Sequence, residues 1–411
     1  MTKIKTNRNN TNNVPPLRFP EFSGEWTKYK VSKLLDFYST NSLSWEQLEY
    51  DTNAIQNLHY GLIHVGLPTM VDLNQNKLPN IKEGSALKNY ELCKEGDVAF
   101  ADASEDTNEV AKAIEFFNLD GAEVVCGLHT IHGRDNNGLT VVGFKGYAFG
   151  STAFHNQIRR IAQGTKIYSI STKNFSECYI GVPCKAEQTK IATLLRLIDA
   201  RIATQNKIIE KLETLIKAIG NKCLFGHGRN VRLGDILIER TEKSTINDQY
   251  EILSSTIKGI FSQRDYFSKD IASENNIGYK VLHKGDIVLS PQNLWMGNIN
   301  YNDKFNFGIV SPSYKIFAIS EEFDCHYVAF LLKTHRLLYS YRSISEQGAS
   351  IVRRNLNMDA FLELTFKIPP FVAQRRIGQA LSKLNDKIEM ERDCLNMLKA
   401  QKQYLLSNLF I

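Results

Sequence analysis

The 411 residues are too many for one ordinary domain, since about 150 residues per domain is the usual scale, and they point to two or three. Apolar residues make up 43% and charged residues 23%, which is enough for more than one hydrophobic core and excludes wholesale disorder. The net charge of +6 divides unevenly: +3 over residues 1–28, −4 over 29–186, +3 over 187–223, +1 over 224–372 and +3 over 373–411. A strongly basic nucleic-acid face is therefore not visible in bulk, and any grip on phosphates has to be local or shared with a partner.

The start, Met1 to Asn13, is rich in Asn and Thr, carries no apolar signal core, and no apolar run of membrane-spanning length follows. The seven cysteines include no C-x-x-C pair and read as free thiols of a reducing compartment, so the cytoplasm is expected. His129-x-x-His132 lacks further ligands at finger spacing, and no metal is expected.

Along the chain a scaffold recurs once. Lys33-Leu34-Leu35-Asp36 pairs with Arg232-Leu233-Gly234-Asp235 at an offset of 199 residues. Lys94-Glu95-Gly96-Asp97-Val98 pairs with His283-Lys284-Gly285-Asp286-Ile287 at 189, and Gln163-Gly164 with Gln347-Gly348 at 184. Pro183, Gln188 and Ile191 pair with Pro369, Gln374 and Ile377 at 186. Order is kept while the offset drifts before the Gln-Gly pair, so the segment from 36 to 163 holds most of the divergence. A whole domain is duplicated. Within the globular parts, Glu123–Ile131, Leu139–Phe144, Asp286–Ser290 and Tyr314–Ile319 read as strands and Cys325–Lys333 as a short helix, giving mixed α and β structure.

Each copy ends in a long amphipathic segment. Ile191, Leu195, Ile198, Ile202, Gln205, Ile209, Leu212, Ile216, Ile219 and Cys223 step by alternating four and three residues. The second copy repeats the spacing with Ile377, Leu381, Leu384, Ile388, Glu391, Leu395, Leu398, Lys402, Leu405 and Leu409. This is the seam of a coiled coil, with one polar residue at the fifth position of each. Pro183 and Pro369-Pro370 mark the entrances, and Gly220 with Phe225-Gly226-His227-Gly228 is expected to close the first helix.

Catalytic signatures are missing from the sequence. No Gly precedes Lys, so there is no phosphate-cradling G-x-x-x-x-G-K-[ST] loop, and no Pro precedes Asp. Ile368-Pro369-Pro370-Phe371 lacks the polar first residue that an adenine methyltransferase loop uses to hold the target amino group. Before each helix, however, lies a basic window. From Asp135 to Glu177 no acid intervenes while Lys145, Arg159, Arg160, Lys166 and Lys173 are present. Between Asp324 and Asp359 stand Lys333, Arg336, Arg342, Arg353 and Arg354 against Glu346 alone. Arg and Gln reach guanine and adenine edges bidentately, and Lys and hydroxyls hold phosphates. The candidate DNA-binding residues are therefore Arg159, Arg160, Gln163, Thr165 and Lys166 in the first copy, and Arg342, Gln347, Ser350, Arg353 and Arg354 in the second.

The ensemble resembles the DNA-specificity subunit of type I restriction-modification enzymes. The residues that carry the resemblance are Leu17-Arg18-Phe19-Pro20, Gly24-Glu25-Trp26, Gly96 to Asp102, Gly127-Leu128-His129-Thr130, the Gln-Gly turns and Pro-x-x-x-x-Gln before each helix. It implies an α+β chain with two tandem target-recognition domains, separated and followed by long helices that form an antiparallel coiled coil. The expected segments are an N-terminal tail (1–28), domain 1 (29–185), a central helix (186–225), domain 2 (226–370) and a C-terminal helix (371–411). The resemblance further implies double-stranded DNA as ligand, a bipartite target with one half per domain, and two modification (methyltransferase) plus two restriction/translocase subunits as partners. Those partners would hold S-adenosylmethionine, ATP and Mg, leaving this chain non-catalytic, without a cofactor and away from membranes. A coiled-coil adaptor without DNA reading, or an active DNA methyltransferase, are the alternatives.

Overall fold

The computed structural model describes residues 13–85, 87, 90–225, 228–266, 275–347 and 353–411; Gly226, His227, Gly348 and Ser350, singled out above, lie outside them. The chain divides into two compact units, Met1–Asn206 with Cys394–Ile411, and Lys207–Asp393. The two long helices, Lys185–Cys223 and Phe371–Asn408, each contribute to both.

The first unit opens with the strand Thr27–Lys30, which pairs antiparallel with the strand Tyr179–Val182 that leaves the domain, Thr27 opposite Val182. A single helical turn, Val31–Leu34, follows and buries Val31 and Leu34. The second unit repeats this clasp: Arg229–Arg232 pairs with Thr365–Ile368, Arg229 opposite Ile368, and the turn Leu233–Ile236 buries Leu233 and Ile236. Val31 N–H donates to the Cys178 carbonyl at 2.8 Å, and Leu233 N–H to that of Leu364 at 2.9 Å. The clasps superpose at an offset of 202, not at the 199 read from Lys33–Asp36 and Arg232–Asp235. The reason is that Lys33, Asp36, Arg232 and Asp235 are exposed, whereas the buried residues Val31, Leu34 and Leu35 answer to Leu233, Ile236 and Leu237.

Each unit then builds a sheet of the same order. In the first, Asp36–Tyr38, Thr130–Arg134, Val98–Ala101, Ala113–Asn118 and Met70–Asp72 lie side by side, the last pair parallel and the others antiparallel. In the second, Leu237–Arg240, Lys315–Ile319, Ile287–Leu289 and Ile299–Tyr301 give the same first four places. The shared Gly-Asp motif is a type II turn entering the third strand, with Gly96 at φ +85° and Gly285 at φ +95°. Asp97 and Asp286 close it by accepting from the Lys94 and His283 N–H groups at 2.9 and 3.0 Å. Both carboxylates are buried and meet a two-pronged guanidinium: Arg134 on Asp97 at 2.8 Å twice, and Arg240 on Asp286 at 2.9 and 3.2 Å.

Several sequence expectations need correction. Glu123–Ile131 is not one strand: Val124–Cys126 and Thr130–Arg134 belong to different sheets, and His129 at φ +55° turns the chain between them. Leu139–Phe144 is not a strand, because Gly143 at φ +92° bends it into the helix Lys145–Phe149 and the Val141 N–H is taken by the Gln188 side chain. Gly220 does not end the central helix, which runs on to Cys223; the Leu224 N–H still donates to the Gly220 carbonyl at 3.1 Å.

Along both helices the seam residues named above are buried or half-buried, and most positions between them are exposed. In the first unit the beginning of the central helix (Ile191, Leu195, Ile198) shares a core with the end of the C-terminal helix (Leu405) and the residues just past it (Leu409, Phe410), and Lys402 Nζ lies 2.6 Å from Asp199 Oδ1. In the second unit Ile216 and Ile219 share a core with Ile377 and Leu381, and Arg392 donates to Glu213 at 2.6 Å. Beginning meets end in each case, so the pairing is antiparallel.

The Pro-x-x-x-x-Gln motif locks each helix entrance. Gln188, fully buried, donates to the carbonyls of Pro183 at 2.9 Å and Leu139 at 3.0 Å and accepts from Val141 N–H at 2.9 Å. Gln374 donates to the Pro369 carbonyl at 3.0 Å and accepts from Asp324 N–H at 3.2 Å, the residue that caps the helix Cys325–Leu332. Replacing Gln188 by Ala strands one buried and two part-buried backbone groups, so urea unfolding of Gln188→Ala is expected to show a loss of about 1–3 kcal/mol. A change within about 0.5 kcal/mol, the range of an ordinary surface substitution, would mean that the amide is not structural.

Candidate nucleic-acid interface

In both units the basic window folds as a helix followed by a hairpin at the duplicated Gln-Gly. The helix Thr152–Ile161 is capped by Ser151, whose hydroxyl accepts from Phe154 N–H, and buries Phe154 and Ile158. That leaves Arg159 and Arg160 exposed in its last turn. Gln163 and Ser169 then exchange both backbone hydrogen bonds, at 3.0 and 2.8 Å, around a tight loop. Gly164 sits there at φ +140°, and any Cβ would fall 1.9 Å from the Ile167 carbonyl oxygen, so only glycine fits. Gln163, Thr165 and Lys166 are exposed on this loop beside Ile167. The hairpin leans on the segment after the Val98–Ala101 strand, since Tyr168–Ser169 pairs antiparallel with Ala103–Ser104.

The second unit builds the same feature from different residues. Thr334 caps the helix His335–Ser343, Leu337 and Tyr341 are buried, and Arg342 is exposed in the last turn. Ser345–Gln347 pairs antiparallel with Arg354–Leu356, and Gln347 and Arg353 are exposed. Here too the hairpin leans on the segment after the Gly-Asp strand: Arg354 N–H donates to the Gln292 carbonyl at 3.1 Å. The guanidiniums of Arg354 and Arg342 lie 5.1 and 6.0 Å from the centre of the Trp295 ring, a cation–π arrangement that holds hairpin, helix and loop together.

The structure separates the basic residues into those with free reach and those committed inside. Lys145 belongs to the second group: it is buried, with Nζ 3.1 Å from Oε1 of the fully buried Glu115. Burial pushes the Glu115 carboxyl up, opposed by Lys145 and by the N–H groups of Gly146 and Gly143. Lys333 and Arg336 are exposed but engaged: Lys333 donates to Asn300 Oδ1 at 2.6 Å and the Arg336 guanidinium lies 4.6 Å from the Phe225 ring centre. Arg354 is half-buried and also donates to the Ser345 carbonyl at 3.3 Å, so it positions the hairpin. Arg159 is steered by Asn108 Oδ1 at 2.9 Å and by Asn156.

Sequence reasoning missed the segments on which the hairpins lean. In the first unit Asp102 pairs through Oδ1 with His129 Nδ1 at 3.1 Å, Asp102 N–H donates to the His129 carbonyl, and Ile170 N–H donates to the Asp102 carbonyl. Thus Gly127–Thr130 and Gly96–Asp102 meet at the base of the Gln163 hairpin. Gly127 is required there because a Cβ would meet Asn57 Nδ2 at 2.5 Å and the Leu58 carbonyl oxygen at 2.8 Å. In the second unit the missed residue is Trp295, whose only sequence signal is an aromatic shortly after the Gly-Asp strand.

The profile of the type I restriction modification DNA specificity domain matches the chain twice, over residues 72–214 and 229–400. The chain belongs to this family, and its role is that of a type I restriction-modification DNA-specificity subunit. Its fold is similar to that of the crystal structure of a type I restriction-modification S subunit from M. genitalium, at 16% identity over 97% of this chain and 99% of that one, with a TM-score of 0.56. A second similar chain comes from a structural study of complex assembly and conformational transition of the type I R-M system, at 15% identity, 93% and 96% coverage and a TM-score of 0.53. No curated protein matches the chain by sequence. Among the described residues no helix is long and apolar enough to cross a membrane.

Lys145→Met removes one partner of a buried ion pair and is expected to cost about 3–5 kcal/mol of stability. Arg160→Ala and Lys166→Ala, at exposed positions, are expected to stay within about 0.5 kcal/mol of the parent. Denaturation curves on the three variants check this; a Lys145→Met protein as stable as the parent would contradict a structural role for the Lys145–Glu115 pair.

Proposed function

We propose that each unit reads one half of a bipartite double-stranded DNA target, the first through Arg159, Arg160, Gln163, Thr165 and Lys166 and the second through Arg342, Gln347, Ser350 and Arg353, with Arg354 positioning that hairpin. The observation that carries this reading is the recurrence of one device in two otherwise diverged domains: a capped helix that ends in exposed arginine and runs into a hairpin with exposed glutamine. Guanidinium and carboxamide groups carry the paired donors and acceptors that distinguish bases in the major groove. Near-neutral domains with a local basic strip suit base reading in which most phosphate grip comes from elsewhere.

In this reading methylation of adenine and cleavage of DNA belong to modification and restriction subunits that hold S-adenosylmethionine, ATP and Mg, and the chain itself supplies recognition in the cytoplasm. Two modification and two restriction subunits are the expected complement, with the paired helices as their common support. An adaptor without DNA reading leaves the twice-built hairpin unexplained.

The test is binding of the chain, with its modification partner, to duplexes carrying the host's methylated motif. Replacing a base-reading arginine such as Arg160 or Arg342 by Ala is expected to cost about 1–3 kcal/mol and relax one base position. Lys166→Ala should weaken all sequences alike and lower the salt slope by about one. Unchanged affinity and specificity in the combined variants of both strips contradict the assignment, as does methyl transfer, ATP hydrolysis or cleavage by the pure chain.

A further inference from the structure

The geometry points to a buried zinc-binding site in the first unit, formed by Cys93, Cys126 and His132. The donor atoms of these three residues lie within 4.8 Å of one another, and all three residues are buried. They come from separate stretches of chain. Cys93 lies just ahead of the Gly-Asp turn, where its N–H donates to the Val124 carbonyl at 2.8 Å. Cys126 ends the strand Val124–Cys126, and His132 is central in the strand Thr130–Arg134. The separation of 33 residues between the thiols hides the group from any search for paired cysteines, so the proposed site departs from the expectation of no metal.

Three features distinguish the group from thiols that merely fill a core. The first is the imidazole of His132, which is fully buried: Nε2 meets Asp97 Oδ2 at 2.7 Å, while Nδ1 has no hydrogen-bond partner. A carboxylate on Nε2 selects the tautomer with the proton there, and so leaves a lone pair on Nδ1. A ring nitrogen turned to a metal while the other donates to a carboxylate is the usual arrangement of a ligating histidine. An unpartnered buried acceptor is otherwise costly.

Spacing supplies the second feature. Cys93 Sγ and Cys126 Sγ are 3.6 Å apart. Two sulfurs each about 2.3 Å from a tetrahedral zinc stand about 3.8 Å apart, so the thiols need almost no movement.

Charge supplies the third. Zinc(II) with two thiolates and one neutral imidazole is neutral overall, and the neighbouring Asp97 is already neutralised by Arg134. Binding releases the two thiol protons to solvent, and three protein donors leave one coordination position for a solvent ligand. The ion would tie the segment before the Gly-Asp turn to the two strands on either side of the His129 turn, at the base of the Gln163 hairpin. The site is independent of the assignment of DNA-contacting residues.

The experiment uses the full chain, reduced and stripped with chelator, then titrated with zinc(II) or cobalt(II) alone. One equivalent of zinc is expected to stay bound through gel filtration and raise the melting temperature. Cobalt is expected to give the thiolate charge-transfer band and intense visible absorption of a tetrahedral site. Cys126→Ser and His132→Gln should lose the band, whereas Cys184→Ser, at an exposed cysteine, should keep it. A wild-type chain that shows no cobalt–thiolate band and retains no more zinc than a Cys93→Ser, Cys126→Ser double variant overturns the proposal, whatever the folding of the single variants.

Discussion

The structure depends on how each globular domain is fastened to its helix. The strand that enters a domain pairs with the strand that leaves it, and the leaving strand passes through a proline into a helix whose first turns carry a buried glutamine. With both ends held in one clasp, a domain tolerates large changes in its middle without moving its helix, because the lengths of internal loops cost little once their ends are fixed. The two copies use that freedom. The first carries a four-stranded sheet around Gln56–Leu58 and Asn80–Ile81, and the second has the two-stranded pairs Leu253–Thr256 with Gly259–Ser262 and Lys280–His283 with Phe307–Val310. The helices gain a second support from their antiparallel pairing, and the seam residues nearest each domain also join that domain's core.

The buried acid after each Gly-Asp glycine shows how constraint and residue identity part company. Asp97 and Asp286 occupy the same place, and a buried carboxylate needs a partner there. In the first unit the guanidinium comes from Arg134 on the second strand of the sheet and lies 4.5 Å from the Tyr38 ring centre. In the second unit it comes from Arg240 on the first strand, at the position that answers to Tyr38. The same demand is met by residues that a residue-by-residue comparison of the two copies would never pair. Near the hairpins the pattern repeats, with Asp102 and His129 supporting one and Trp295 the other.

What the sequence made legible was whatever repeats with a fixed period or a fixed order. The heptad steps located both helices, because an apolar seam is the direct imprint of pairing. The Gly-Asp and Gln-Gly pairs located the turns, because positive φ at Gly96, Gly285 and Gly164 leaves little choice of residue. Three things were not legible. The register of the first repeat slipped by three residues because Lys33 and Asp36 match Arg232 and Asp235 on the exposed side of the turn. Lys145 looked like part of a basic strip because its partner, Glu115, is distant in the chain. Cys93, Cys126 and His132 looked scattered because nothing in one dimension says that a strand bridge between Leu92 and Val125 brings them together.

The two units are proposed to read separate halves of one target. The direct measurement is base-resolution mapping of methyladenine in cells that carry the complete system, with the parent chain and with a chain altered only at Arg342, Gln347 and Arg353. Separate reading of the two halves predicts that one half of the methylated motif changes or degenerates while the other half is kept. A variant that remains active and alters bases in both halves, or that leaves both intact, would contradict it.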